Sequence, residues 1–215
     1  SVASRGLGDV YKDRGGSLYL NCRHKLKHRS RGLYKKSSAA HIPNRVSIHQ
    51  RPTEVDGKRF GDIEMDTIVA KGQKSAILTL VEKSTNMVCF IKKIDGGFNP
   101  AAAAKAAILL LLPYKDKLKT ITTDNGFEFR DHETITRVLG IPVFFADPYA
   151  SCQKGAIENT NKLIRQYIPK KSDFSDFDDD RLFEIQTLLN NRPRKKHDYI
   201  SPFKLFAPFF LPVAL

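Results

Sequence analysis

Three carboxylates stand where a reaction can use them. Asp66 lies in an alternating stretch (GDIEMDTIV), Asp124 closes a β-branched run (KTITTDNG), and Glu158 opens a polar–apolar repeat (KGAIENTNKLIRQYI). Strand ends and helix starts around one sheet edge converge in space even when they are far apart in the chain. Three converging carboxylates repel one another unless a cation sits among them. Magnesium suits such a set, because it takes hard oxygen ligands and retains waters for phosphate chemistry. Two such ions ~3.5–4 Å apart activate an attacking oxygen and stabilise a leaving one. Each acid alone also has a plainer reading. Asp-Asn-Gly is ordinary turn chemistry, and Glu158 can pair with Lys162 at i+4. Asp66 shares a strand face with Asp62 and Glu64, so all three can line a solvated surface.

The elements that would position these acids follow from the pattern. Residues 61–69 alternate as a strand ending in β-branched residues, and Ser75–Glu82 and Met87–Ile94 read as two more strands. The short Lys83–Asn86 connection predicts a hairpin, so the first three strands run antiparallel. A glycine-containing loop follows, then Asn99 caps a helix with Pro100 at its first position, and Pro113 stops it. Lys119–Thr123 is the fourth strand, Asp131–Leu139 a short helix closed by Gly140, and Ile141–Ala146 the fifth strand. Strand, helix, strand without a tight turn implies a right-handed parallel crossover. A helix from about Ala156 to Ile168 and another capped by Asp178 or Asp179 complete the order. The predicted class is α/β: a mixed five-stranded sheet, three antiparallel strands then two parallel, flanked by helices.

The segments GDIEMDTIV, TTDNGFEF, FFADPYASCQKGAIENTNKLIRQYIPK and NNRPRKKHDYISPFKLF resemble, in that order, the catalytic core of bacterial insertion-sequence transposases of the IS-thirty family. The likeness runs from about Gly15 (GGSLYLNCRHK, then IPNRVSIHQRP) to about Phe206. The interval agrees too, with thirty-three residues between Asp124 and Glu158. Such cores are of the retroviral-integrase type, so the resemblance implies a ribonuclease-H-like fold and makes Asp66, Asp124 and Glu158 the catalytic, metal-binding triad. It implies two Mg2+ ions, with Mn2+ able to substitute. The first aspartate would contact both ions, and the second aspartate and the glutamate would each hold one. The implied partners are double-stranded DNA, as transposon ends and as target, and further copies of the chain assembled on it. Asn125 and Gly126 would shape the turn presenting Asp124, and Asn159 and Asn161 match the ENxN wording in a positioning role. Asp62 and Glu64 fall outside the triad and are expected to be structural.

In the Glu158 helix, Ile157, Leu163, Ile164 and Ile168 make a buried stripe. Glu158, Lys162 and Arg165 follow i, i+4, i+7 beside it, so the two cations are expected to hold DNA phosphates next to the metals. A surface salt-bridge ladder worth tenths of a kcal/mol is the plainer alternative. Cys89 reads as a small apolar strand residue, and Cys152 lacks a histidine partner for nucleophilic chemistry. His24 and His28 have helical metal spacing, but no cysteine pair follows them.

Charge and composition narrow the function classes. The chain has 215 residues and a formal net charge of +13, with 41% hydrophobic residues, enough for a packed core. Three widely spaced cysteines exclude a disulfide scaffold and fit a reducing cytosol; the resemblance implies a bacterial cytoplasm and association with the nucleoid. The longest apolar run, Ala106–Leu112, has seven residues, far short of the ~20 of a membrane span. Residues 1–59 carry 14 Lys+Arg against 4 Asp+Glu. They read as a basic, partly disordered or extended arm without a complete helix-turn-helix, followed by a core at 60–206 and a tail at 207–215. Between Asn21 and Arg51 no acid occurs, while Arg23, Lys25, Lys27, Arg29, Arg31, Lys35, Lys36, Arg45 and Arg51 are basic. The reading is therefore a transposase or integrase core acting on DNA by metal-dependent hydrolysis and strand transfer. Its alternative is a truncated, catalytically silent DNA-binding remnant that modulates a full-length transposase.

If the basic arm lies along DNA, it supplies much of the nonspecific affinity. Removing it should flatten the slope of log K against log salt by roughly 3–5 units, at about 0.9 per neutralised phosphate. Neutralising Lys162 and Arg165 should remove at most about two units. Salt titration of a short duplex measures both, and an unchanged slope would return the arm to a solvated tail.

Overall fold

Alternation and β-branching produce the strands where the sequence places them, and the sheet assembles around the one that carries Asp66. The structure is a computed structural model that describes residues 42–209 apart from 71, 73, 74, 96–98 and 149. Strand β1 is Val46–Ser47, β2 Asp62–Val69, β3 Ser75–Glu82 and β4 Val88–Asp95. Helix α1 spans Pro100–Leu111, then come β5 Thr120–Thr123, α2 His132–Leu139 and β6 Val143–Phe145. Helices α3 Gly155–Ile164, α4 Asp179–Asn191 and α5 Pro202–Phe206 follow. The sheet order is β1-β6-β5-β2-β3-β4, with β2 antiparallel to β3 and β3 antiparallel to β4. Strand β5 runs parallel to β2, β6 parallel to β5, and β1 parallel to β6. This is the expected ribonuclease-H-like mixed sheet.

The period of two in β2 divides the protein into layers. Ile63 and Met65 point to one face, where they meet Ala103, Ala104, Ala107 and Leu111 of α1 and Ile135 and Leu139 of α2. Alanines on α1 let its backbone approach the sheet closely. On the other face Ile68, with Ile77 and Ile91, meets Leu163 and Ile164 of α3, Ile168 and Phe174 beyond it, and Leu182, Ile185 and Leu189 of α4. Full burial of each such Ile or Leu contributes ~1.5–3 kcal/mol. The predicted stripe Ile157, Leu163, Ile164 and Ile168 is buried throughout.

The caps follow local chemistry. Asn99 accepts from the N–H groups of Ala101 and Ala102, and Asp178 accepts from that of Arg181 at 2.8 Å. Gly140 ends α2 in the left-handed region at φ 74°. In the β3–β4 turn the Glu82 carboxylate gathers Thr85 N–H at 2.8 Å and Ser84 and Thr85 hydroxyls, which fixes the hairpin.

Two expectations are corrected. The sheet has six strands rather than five, and the added strand β1 comes from the segment assigned to the basic arm. The core therefore extends back from residue 60 to at least residue 42. Ile42, Ile48 and Val55 are buried, and Arg51 donates to Thr122 Oγ1 at 3.0 Å. Of the arm's nine cations, Arg45 and Arg51 thus have partners in the core, whereas Arg23, Lys25, Lys27, Arg29, Arg31, Lys35 and Lys36 lie outside the described residues. Removing the arm for the salt titration accordingly means removing residues up to 41. At the other end, the Ala207–Phe209 turn joins the core, with the Phe209 and Phe60 rings stacked at 3.7 Å. Among the described residues, no helix is long and apolar enough to cross a membrane.

Gly61, just before β2, has φ +100°, and a Cβ there would lie 2.2 Å from the Lys117 carbonyl oxygen. That carbonyl belongs to the turn entering β5, so the clash falls on backbone that aligns the two central strands. Gly61→Ala should cost about 3 kcal/mol. It should lower Tm by roughly 6–12 °C in a thermal melt.

Candidate active site

The even-numbered residues of β2, namely Asp62, Glu64 and Asp66, form a row of carboxylates on the face that α3 covers. The first two are buried, not solvated. Asp62 receives two bonds from Arg59, at 2.9 and 3.1 Å, and one from Thr120 Oγ1 at 2.8 Å. Glu64 pairs with Lys83 Nζ at 3.0 Å and accepts the Ile157 N–H at 2.9 Å. Ile157 lies in the first turn of α3, where backbone N–H groups lack intrahelical partners and the dipole favours an anion. Glu64 therefore docks the start of α3 onto the central strand. Buried carboxylates persist only with such complete partnering.

The third acid is satisfied differently. Asp66 accepts the Thr67 N–H on Oδ1 and the Asn161 amide on Oδ2, both at 2.9 Å. The β2–β5 register pairs Glu64 with Thr122, so its extension by two residues sets Asp124 opposite Asp66. Asp124 Oδ1 accepts the Gly126 N–H at 3.0 Å, closing the Asp-Asn-Gly turn. The Lys154 ammonium lies 3.2 Å from Asp124 Oδ2 and 3.6 Å from Asp66 Oδ1, with its side chain only 6% exposed. Gln153 holds this lysine's turn through two bonds to Asp147, each 2.8 Å. Burial pushes Asp66 up to about 6, against the opposing pull of Lys154; the charges of Asp124 and Glu128 add to the rise and the Thr67 N–H resists it.

The flanking residues support this geometry. Asn125 donates to the Ala146 carbonyl at 2.7 Å and accepts from Arg45, tying the Asp124 turn to the end of β6. A Cβ on Gly126 would lie 2.5 Å from Glu128 Oε2, so a side chain there would push aside that carboxylate, which accepts from Thr67 Oγ1 at 2.6 Å.

Glu158 lies on α3, partly exposed, on a stripe of Lys154, Glu158 and Asn161 at i, i+4, i+7. Both ends of that stripe touch Asp66, which brings Glu158 to the same side of the sheet. The three acids do not close into a cluster, however: among the described residues, no group of three His, Cys, Asp or Glu side chains is placed to hold a metal. Asn161 has the expected positioning contact, while Asn159 is exposed. Lys162 is also exposed, but Arg165 donates to the carbonyls of Pro169 at 3.2 Å and Val69 at 3.4 Å. Its guanidinium thus joins the end of α3 to the end of β2, a structural employment the helix-face reading omitted.

Sequence reasoning also missed Lys154, Thr67 and Glu128. Lys154 stands four residues before Glu158, a spacing that signals a shared face once the helix is known to begin at Gly155 rather than Ala156. A divalent cation fits the residues present. Asp66 and Asp124 already share one positive charge, and the buried Oδ1 of Asn161 has no hydrogen-bond partner while its amide nitrogen faces Asp66. All are hard oxygen donors.

A raised carboxylate pKa means that burial disfavours the ionised form in the folded state. Asp66 costs the fold nothing below its unfolded value near 4, and the cost grows as pH rises towards about 6. In chelator, Asp66→Asn should therefore be more stable than the parent at pH 7 by at most about 3 kcal/mol, reduced by the solvent still reaching the side chain. The difference should vanish near pH 4. Paired melts across pH measure it, and a pH-independent difference would contradict the assignment.

No family model matches the chain. It is 43% identical over 196 residues to the transposase for insertion sequence element IS4351 of Bacteroides fragilis, covering 91% of this chain and 60% of that protein. It is 34% identical over 189 residues to transposase InsI for insertion sequence element IS30A of Escherichia coli (strain K12), covering 86% of this chain and 48% of that protein. The chain thus spans about half the length of these relatives. Among solved structures it is similar to a chain of the simian T-cell lymphotropic virus intasome, at 16% identity and a TM-score of 0.55, covering 97% of this chain and 76% of that chain. Identity so low shows a shared fold alone. With sequence likeness to several insertion-sequence transposases and this sheet order together, the chain belongs to the insertion-sequence transposase family that includes InsI, and its described part is a ribonuclease-H-like core.

Proposed function

We propose that this chain is the catalytic core of a DNA transposase. One observation carries the reading: two aspartates from adjacent parallel strands share a single cation beside the α3 stripe that bears Glu158. The relatives' names supply the reaction class, and the oxygen-rich donor set supplies its chemistry. The substrate is double-stranded DNA, as element ends and as target, and the working form is several copies of the chain on that DNA.

In this proposal Asp66, Asp124 and Glu158 hold two Mg2+ ions, or Mn2+ in their place. When bound, the ions polarise phosphate oxygens and lower the pKa of an attacking hydroxyl. In the first step water attacks the phosphorus at an element end. The bond to the 3′ oxygen breaks, and that oxygen takes up a proton to leave a 3′-OH. In the second step this hydroxyl attacks a target phosphodiester, forming one P–O bond as another breaks and losing its proton as the departing 3′ oxygen gains one.

The chain's own contribution is placement. The Thr67 N–H and the Asn161 amide each fix one Asp66 oxygen, and the Gly126 N–H fixes Asp124. Glu64, through the Ile157 N–H, sets the height at which α3 presents Glu158. Closing Glu158 onto the aspartates then requires a side-chain movement on a helix already docked at both ends, which limits the reorganisation cost.

Asp124→Ala should abolish Mg2+-dependent nicking and strand transfer on a labelled element-end duplex while duplex affinity stays within about threefold. An Asp124→Ala protein that cleaves like the parent would overturn the reading. A parent that binds duplex but never cleaves it with Mg2+ or Mn2+ would favour the silent DNA-binding remnant.

A further inference from the structure

Lys154 belongs to none of the roles assigned above, yet it is the most deeply buried cation at the site. Its ammonium contacts one oxygen of each aspartate, at 3.2 Å and 3.6 Å. Those oxygens, Asp124 Oδ2 and Asp66 Oδ1, are two of the donors a divalent ion would need. The remaining oxygens are engaged by the Asn161 amide and the Gly126 N–H, and Asp66 Oδ1 also accepts from Thr67. An ammonium and a Mg2+ ion compete for these oxygens, because their charges repel at such separation and the ion requires contacts near 2.0–2.1 Å.

We propose that Lys154 is a tethered internal cation that holds Asp66 and Asp124 together and that a divalent metal must displace from them. The inference rests on the metal reading of these two aspartates. The surroundings dictate how the exchange occurs. Gln153 clamps the preceding residue to Asp147, and Glu64 clamps the first turn of α3, so the backbone on either side of Lys154 is fixed. The lysine leaves by rotation of its four-carbon stem, the property that distinguishes it from a rigid guanidinium fork. Until then it offsets the repulsion between two carboxylates and keeps them in the spacing a metal requires. It also raises the metal concentration needed for loading, because the metal-competent arrangement is only the fraction of molecules with the lysine withdrawn. Lys154 is thus a positioning residue acting through the two aspartates.

The test uses the chain as it exists, with metal binding read by calorimetric Mn2+ titration and by thermal melting in chelator or in Mg2+. Lys154→Gln should melt below the parent in chelator. It should bind Mn2+ ~10-fold more tightly and gain more in Tm from saturating Mg2+, as expected if the lysine-out fraction is near a tenth. Lys154→Arg keeps the charge on a fork that withdraws less readily, so it should melt near the parent in chelator and bind Mn2+ no more tightly than the parent. Should Lys154→Gln fail to fold in chelator, the parent itself decides. With isotope-labelled lysine, the Lys154 side-chain NMR resonance should move with a midpoint matching that of Mg2+ binding. Unchanged or weaker Mn2+ affinity in Lys154→Gln, or a stationary Lys154 resonance while Mg2+ binds, would overturn the exchange. If Asp124→Asn loses metal affinity while Lys154→Gln leaves it unaltered, only the exchange falls. If Asp124→Asn binds metal like the parent, the metal reading itself falls and the exchange with it.

Discussion

Mutual repulsion along the carboxylate row of β2 is the constraint around which this fold is arranged. A strand period of two puts Asp62, Glu64 and Asp66 on one face of the central strand, with Asp124 set opposite the last of them. Unpaired, a buried carboxylate costs several kcal/mol. Compensation comes from every neighbouring element: Arg59 from the approach to β2, Lys83 from the hairpin, Thr120 from β5, and the first turn of α3. Arg51, from the segment ahead of β2, sits close enough to feel both Glu64 and Asp62, although burial lowers its own pKa.

The compensation weakens along the row in a consistent direction. Asp62 has a bidentate guanidinium and a hydroxyl; Glu64 has an ammonium and a helix N–H. Asp66 has only amide donors and a lysine at 3.6 Å that it shares with Asp124. Burial, with the charges of Asp124 and Glu128, pushes its pKa up to about 6 against the pull of that lysine. A fold selected for stability alone would finish the row as it began. In the proposed metal reading, leaving one carboxylate under-compensated next to a second sets aside binding energy for a cation supplied from solution.

Much of this was legible in the sequence because it is local. The β2 alternation, the Asn99 and Asp178 caps, the Gly140 stop and the buried stripe of α3 each follow from residues within a few positions of one another. The three-antiparallel, two-parallel order followed from the hairpin and the crossover, again short-range signals. Strand β1 was not legible: its two residues, Val46 and Ser47, pair with Phe144 and Phe145 across nearly a hundred residues, and nothing alternates around them. The arginines' folded partners were not legible either. Arg45 and Arg51 sit in an acid-free, strongly basic run that reads as a DNA-facing arm, and only the folded register sends them to Asn125 and Thr122. Helix periodicity put Arg165 on the Glu158 face without showing that α3 ends at Ile164, where the turn after it brings the guanidinium onto the Pro169 and Val69 carbonyls.

The division of labour between strand and helix then has a physical reason. Asp66 lies in β2 and Asp124 directly follows β5, so the pairing of these strands just before them sets their spacing and side-chain bonds fix their orientation. Glu158 comes from a helix that the sheet holds at its first turn, at Asn161 and, through Arg165, at its end, with an apolar stripe behind it. A carboxylate so mounted can swing without disturbing the layers, because Ile157, Leu163 and Ile164 keep the helix seated while Glu158 moves. The same turn delivers Lys154 to the aspartates. One short segment, residues 154–161, therefore carries a cation beside the two strand acids and the acid that, in the proposed reading, joins them. Its docking through Glu64 makes a structural carboxylate of the row the support on which the proposed chemistry of its neighbours would depend.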